Sequence, residues 1–222
     1  MDYLAIIDQF YGTGNSELKS LLLLHCRAVA DKALRICEKH PEFGLDRDFI
    51  EAAAMLHDIG IIRCDAPKIH CHGTEPYIRH GILGAEMLTS LHTPHSSLPT
   101  PHLTLLTPHS TLHTSHSTLL TSRICQRHTG AGITRAEIAA QQLPLPLPDD
   151  DSEPYMPETI EEKLICYADN FFSKTRPHHE KTIEEAERSL AKFGNDGVLR
   201  FREWARLFAH PCDVTPKRWT FN

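Results

Sequence analysis

The sequence predicts an all-α protein. Apolar residues recur at helical spacing along most of the chain, three Ser/Thr-x-x-Glu capping boxes head separate apolar stretches, and no run of alternating β-branched residues occurs. The first long helix spans about residues 16–39, with Leu21, Leu24, Val29, Ala33 and Ile36 on a broad apolar face. A second covers 47–58 through Phe49, Ile50, Ala53, Ala54 and Met55, with Gly60 as its stop signal. Pro76 is placed to open a third that runs to about Leu91. The capping pairs Thr134/Glu137, Thr159/Glu162 and Thr182/Glu185 start helices near 135–142, 160–174 and 183–193, and a last helix covers about 197–209.

Two stretches break this pattern. Residues 93–120 are four copies of a seven-residue unit (TPHSSLP, TPHLTLL, TPHSTLH, TSHSTLL) with no charged residue. Pro94, Pro101 and Pro108 recur within it, and each proline inside a helix costs about 3 kcal/mol. A continuous helix is therefore not expected, and 92–121 is assigned as a low-complexity insertion, an irregular surface excursion. Its histidines (92, 95, 102, 109, 113 and 116) are attributed to the repeat rather than to a site. The second stretch, 143–157, holds five prolines around an acidic run and is expected to be a loop. The 222 residues then form one domain over 1–222, with its core at about 18–210.

Composition narrows the function classes. The formal net charge is −6 and no long basic run occurs, which argues against long nucleic acid as a partner. No stretch is long and apolar enough for a membrane span, and the N-terminus MDYLAIIDQFYG lacks the basic region of a signal peptide. The seven cysteines are scattered and odd in number, so they are expected as buried thiols in a reducing cytoplasm.

The chemistry lies in polar residues on apolar helix faces. His57 and Asp58 end a helix whose preceding turns are Ile50, Ala53 and Ala54. A buried carboxylate without a partner costs several kcal/mol, and a divalent cation would satisfy it together with the imidazole. His25 interrupts Leu21–Leu24 on a core face, and Asp169 stands in the apolar helix LICYADNFF. His80, in YIRHGILGAEML, and His128, in RICQRHTGAG, are candidates for a second ion. Gly81 and Gly84 would permit close packing there. Lys68, His72, Lys174 and Arg176 are candidate substrate contacts. Cys64, His70, Cys71 and His72 have irregular spacing for a zinc site, and their segment is expected as a loop over the active site.

The ordered set His25, His57-Asp58 and Asp169 resembles the H…HD…D signature of the HD superfamily, and residues 57–60 match its HDIG variant. APKIHCHGTEPYIRHG, RHTGAGIT and PETIEEKLICYADNFFSK resemble a subfamily of bacterial HDIG-domain proteins over about residues 18–210. The resemblance implies an HD-domain helical bundle. It also implies one or two divalent ions (Fe, Mn, Zn, Co, Ni or Mg) on His25, His57, Asp58 and Asp169, with His80 and His128 for the second. Catalysis would centre on His57 and Asp58, with Asp58 bridging two ions. The chain departs from many binuclear relatives at Ile61, where they carry lysine, so phosphate contacts must come from elsewhere. The expected reaction is hydrolysis of a phosphate ester or anhydride in a small molecule, a nucleotide being the favoured class. The alternatives are a cyclic or dinucleotide phosphodiesterase and a non-catalytic metal-binding nucleotide sensor. If the repeat disturbed the fold, deleting residues 92–121 would restore it.

Overall fold

The computed structural model describes residues 1–14, 16–91, 108–176 and 178–209, without the side chains of 108–115. Among these residues the chain is a bundle of α1 (Tyr3–Tyr11), α2 (Glu17–Lys39), α3 (Arg47–Leu56), α4 (His80–Ser90), α5 (Pro108–Arg127), α6 (Arg135–Gln141), α7 (Ile160–Asp169), α8 (Ile183–Leu190) and α9 (Asn195–Phe208). A two-residue ribbon, β1 (Asp65–Ala66) and β2 (Cys71–His72), pairs antiparallel with Asp65 opposite His72.

Helix starts follow local chemistry. Ser16 and Asp46 accept from backbone amides at the heads of α2 and α3. All three expected capping boxes are closed in both directions, at Thr134/Glu137, Thr159/Glu162 and Thr182/Glu185. Helix α1 was not expected; Asp2 caps it and Ile7 anchors it in the core. Lys19 then ties α1 to α2 through the Gly12 carbonyl at 2.7 Å and the Asp8 carboxylate at 2.7 Å.

The core gathers around α2, whose Leu22, Cys26, Val29, Ala30 and Ala33 are fully buried. Against them pack Ile50, Ala53 and Ala54 of α3 and Leu164, Ile165 and Ala168 of α7. Tyr167, Phe171 and Phe201 form an aromatic cluster that holds α9 on α7. The 143–157 segment packs inward: Leu145 and Tyr155 are buried, and Tyr155 donates to the Pro146 carbonyl.

Three expectations require correction. The last part of the repeat is helical, because α5 begins at Pro108 and runs through to Arg127. Pro108 occupies the first position, where its missing N–H costs nothing, and Ser115 stands where the next proline would fall. Thr118 and Thr121 on this helix are buried, and the Thr121 hydroxyl donates to the Ser117 carbonyl one turn back. The remaining repeat residues, 92–107, lie outside the described residues. Next, Gly60 is not a stop, since the chain continues as a tight 3-10 turn over Ile59–Arg63. Last, α7 ends at Asp169 rather than near 174; Asn170 donates to the Cys166 and Gly130 carbonyls and the chain reverses.

Candidate metal centre

Five helices, α2, α3, α4, α5 and α7, bring the predicted ligands together. His25 projects from the middle of α2, His57 caps the end of α3, Asp58 follows it, and Asp169 is the last residue of α7. His25 Nε2 lies 3.0 Å from Asp58 Oδ2 and 2.9 Å from Asp169 Oδ1. His57 Nε2 lies 3.1 Å from Asp58 Oδ2 and 3.5 Å from Asp169 Oδ1. His80 opens α4 and His128 follows α5; their Nε2 atoms are 2.9 Å apart and each is 3.4 Å from Asp58 Oδ1. Asp58 thus turns one oxygen to each of two donor groups, His25/His57/Asp58/Asp169 and Asp58/His80/His128.

These donors fit a cation. His25, His57 Nε2 and Asp58 Oδ1 are buried without a hydrogen-bond partner among the described residues, although they lie close together. With the Asp169 carboxylate, their donor atoms lie within 4.8 Å of one another, close enough to share one ion. Ligands at 2.0–2.2 Å from one ion, set at right angles, stand about 3 Å apart, which is the spacing found here. Three histidines are also held in the correct tautomer. His57, His80 and His128 each direct Nδ1 at the carbonyl three residues back, at 2.6, 2.7 and 2.7 Å, which leaves Nε2 free to coordinate.

Electrostatics suit ligation too. Burial opposes ionisation of Asp58, but the Lys174 ammonium beside it holds its carboxyl well below the usual range. Burial likewise opposes ionisation of Asp169, and the adjacent imidazoles of His25 and His57 hold its carboxyl well below the usual range. Burial pushes His80 down to about 3, so it presents a lone pair at neutral pH.

Glycines set the distance between the two halves of the site. A Cβ on Gly60 would overlap the His80 carbonyl and the backbone of Gly84, and one on Gly81 would overlap the Cys125 carbonyl. The glycine of HDIG therefore lets the 59–63 turn lie directly on α4, which places His80 beside Asp58. Tyr11 steadies that turn by donating to the Ile59 carbonyl at 2.8 Å.

The proposed substrate residues separate. Lys174, brought back by the chain reversal after α7, sets its ammonium 2.5 Å from Asp58 Oδ2 and is nearly buried. Lys68 lines a hollow with Lys174 and Asp169. Arg176 lines a different surface hollow with Lys181 and Arg188. His72 is exposed on β2 and lines none of these hollows. Lys181, which lines both hollows beside Asp169 and Arg176, carried no sequence signal of its own. Cys64 and Cys71 are buried, and His70 pairs with Glu17 at 3.0 Å, so this segment forms no zinc cluster among the described residues.

A family model for the HD domain matches residues 22–173, a span that begins three residues before His25 and ends four after Asp169. The chain belongs to the HD domain family. Its all-helical bundle is the one the HD resemblance implied. A tRNA (cytidine(56)-2'-O)-methyltransferase of Picrophilus torridus is 33% identical over 196 residues, 86% of this chain and 42% of that protein. An uncharacterised protein of Methanocaldococcus jannaschii is 31% identical over 171 residues, 76% of each chain. A tRNA (cytidine(56)-2'-O)-methyltransferase of Thermoplasma volcanium is 26% identical over 195 residues, 84% of this chain and 44% of that protein. The HD chain spans under half the length of the two relatives named as methyltransferases. All three relatives are archaeal, whereas the sequence resemblance pointed to bacterial proteins. No solved structure gives a significant match. No described helix is long and apolar enough to cross a membrane.

Proposed function

We propose that this HD domain hydrolyses a phosphate ester or anhydride in a small phosphorylated molecule, with a nucleotide as the favoured class. The observation that carries the reading is the convergence of His25, His57, Asp58 and Asp169, joined through Asp58 to His80 and His128. A bound divalent cation would supply Lewis acidity and make hydroxide available near neutral pH. The chain's own residues do the rest. Asp58 orients both halves of the site through its two oxygens. The carbonyls of Ala54, Tyr77 and Cys125 keep three imidazoles aimed inward. Lys174 brings a positive charge to the face of Asp58, where it can neutralise charge developing on a phosphoryl oxygen. It thereby supplies the cation that Ile61 does not. Asp169, 18% exposed, is the ligand through which the centre meets the open hollow.

The test is anaerobic purification followed by a phosphate-release screen over nucleotides and simple phosphate esters. Release by the native chain, lost in His57→Ala and Asp58→Ala, supports the reading. Full activity in either variant refutes the assignment.

The names of two relatives support a second reading. Both are more than twice as long as the part that aligns with this chain. In that reading the domain works beside a tRNA-modifying activity without performing it. Methyl transfer to tRNA by the chain alone would overturn both readings.

A further inference from the structure

Asp169 borders two hollows of different character. One, of about 440 Å³, is walled by Ile78, Ile133, Leu143, Phe172, Leu190 and Phe193. The other, of about 470 Å³, shares Asp169, Phe172, Lys181 and Phe193 with it and adds Lys68 and Lys174. An apolar chamber of a size typical of small-molecule sites thus adjoins a cationic one, with a candidate metal ligand in the wall of both.

We propose that the apolar chamber is a nucleobase pocket and that Phe193 is its stacking residue. The proposal rests on the hydrolase reading and narrows it to nucleoside phosphates. Phe193 is the most exposed large apolar side chain among the described residues, at 70%, and it lies in the walls of both hollows. Among the described residues no other ring stacks on its face, and a planar base supplies such a partner. The chamber is not uniformly greasy. Thr129 contributes a hydroxyl-bearing side chain to its lining. The Gln141 side chain donates its nitrogen to the Phe193 carbonyl at 3.0 Å, which leaves its own oxygen as an acceptor at the rim. A nucleobase has apolar faces and a polar edge, so it matches aromatic walls with isolated donors and acceptors; an alkyl phosphate matches only the walls. With the base there, the phosphate falls toward Asp169, and Lys68 and Lys174 face it from the second hollow.

The test is calorimetric binding to the metal-loaded chain, using phosphonate isosteres of adenosine and uridine monophosphate that cannot be cleaved at the ester bond. The isostere of ribose 5-phosphate is the base-free control. At least one nucleoside isostere should bind about five- to hundredfold tighter than the control, the worth of one base–aromatic stack. Phe193→Ala should collapse that ratio toward one, and Leu143→Trp, which fills the chamber, should do the same. Thermal melts establish that each variant is folded. A ratio near one in the native chain, or a full ratio retained in folded Phe193→Ala, overturns the pocket. Phosphate release without base discrimination would leave hydrolysis standing and remove the pocket; base discrimination without release from any ester would do the reverse.

Discussion

Substituting alanine for Gly60 tests how packing builds this centre. The residue is buried, and its added Cβ would fall inside the His80 carbonyl and the Gly84 backbone. Backbone atoms of a helix cannot turn aside as a side chain can, so α4 must shift as a unit. Overpacking of this kind costs about 1–3 kcal/mol, and a clash with two backbone segments belongs at the upper end. For a chain of this size, about 3 kcal/mol corresponds to a loss of roughly 6–12 °C in melting temperature. The same shift would draw His80 away from Asp58 and weaken the Asp58/His80/His128 group before the other. Gly84→Ala is the internal comparison: its Cβ would meet the Gly60 nitrogen at 3.2 Å and side chains at 3.4 and 3.5 Å, so its cost should be smaller. Circular-dichroism melts and metal analysis of the three proteins provide the readout. A Gly60→Ala protein that melts within 1–2 °C of native with unchanged metal content would refute this packing account.

Three further outcomes are expected. His80→Ala should lower metal content while leaving the His25/His57/Asp58/Asp169 ion in place, read by elemental analysis of the folded protein. Lys174→Met should reduce kcat/KM by about 10²–10³-fold, as loss of a charge-stabilising donor does, without lowering metal content; a variant with native kinetics would remove Lys174 from the site. Glu137, though burial opposes its ionisation, is held below its ordinary pKa by the Thr134 amide and by Arg200, which also donates to the Ala131 and Gly132 carbonyls. The folded-state pKa is depressed, so this contribution is present above the ordinary glutamate range and is lost as pH falls below it. Glu137→Gln should cost about 1.5–3 kcal/mol at pH 7, the worth of charged hydrogen bonds, and the gap to native should close in acid denaturation below about pH 4.

Deleting residues 92–121 separates the sequence expectation from the structure. The deletion removes the first two-thirds of α5, including buried Thr118 and Thr121, and with it the helix that delivers His128. It should destabilise the chain rather than rescue it, which urea denaturation would reveal.

What the sequence disclosed was mainly local or contradictory in polarity. Capping boxes are four-residue devices, so all three were legible. His25, His57, Asp58 and Asp169 stood out because each placed a charge-bearing group on an apolar helix face, and a buried polar group demands a partner. Other features needed the third dimension. The role of Gly60 exists only because α4 lies against it. Lys174 was assigned to a substrate phosphate, but its place on Asp58 depends on α7 ending at Asp169, a stop that Asn170 makes by bonding a distant carbonyl at Gly130. Helix α5 was hidden by its repeat, where the proline that argued against a helix turned out to start one.

Metal content per chain tests the central claim most directly. Elemental analysis of the anaerobically purified, metal-reconstituted protein should find two divalent ions per chain, almost none in Asp58→Ala, and a marked drop in melting temperature when a chelator strips the native protein. A native chain that carries no ion and melts at the same temperature with and without chelator would contradict the account.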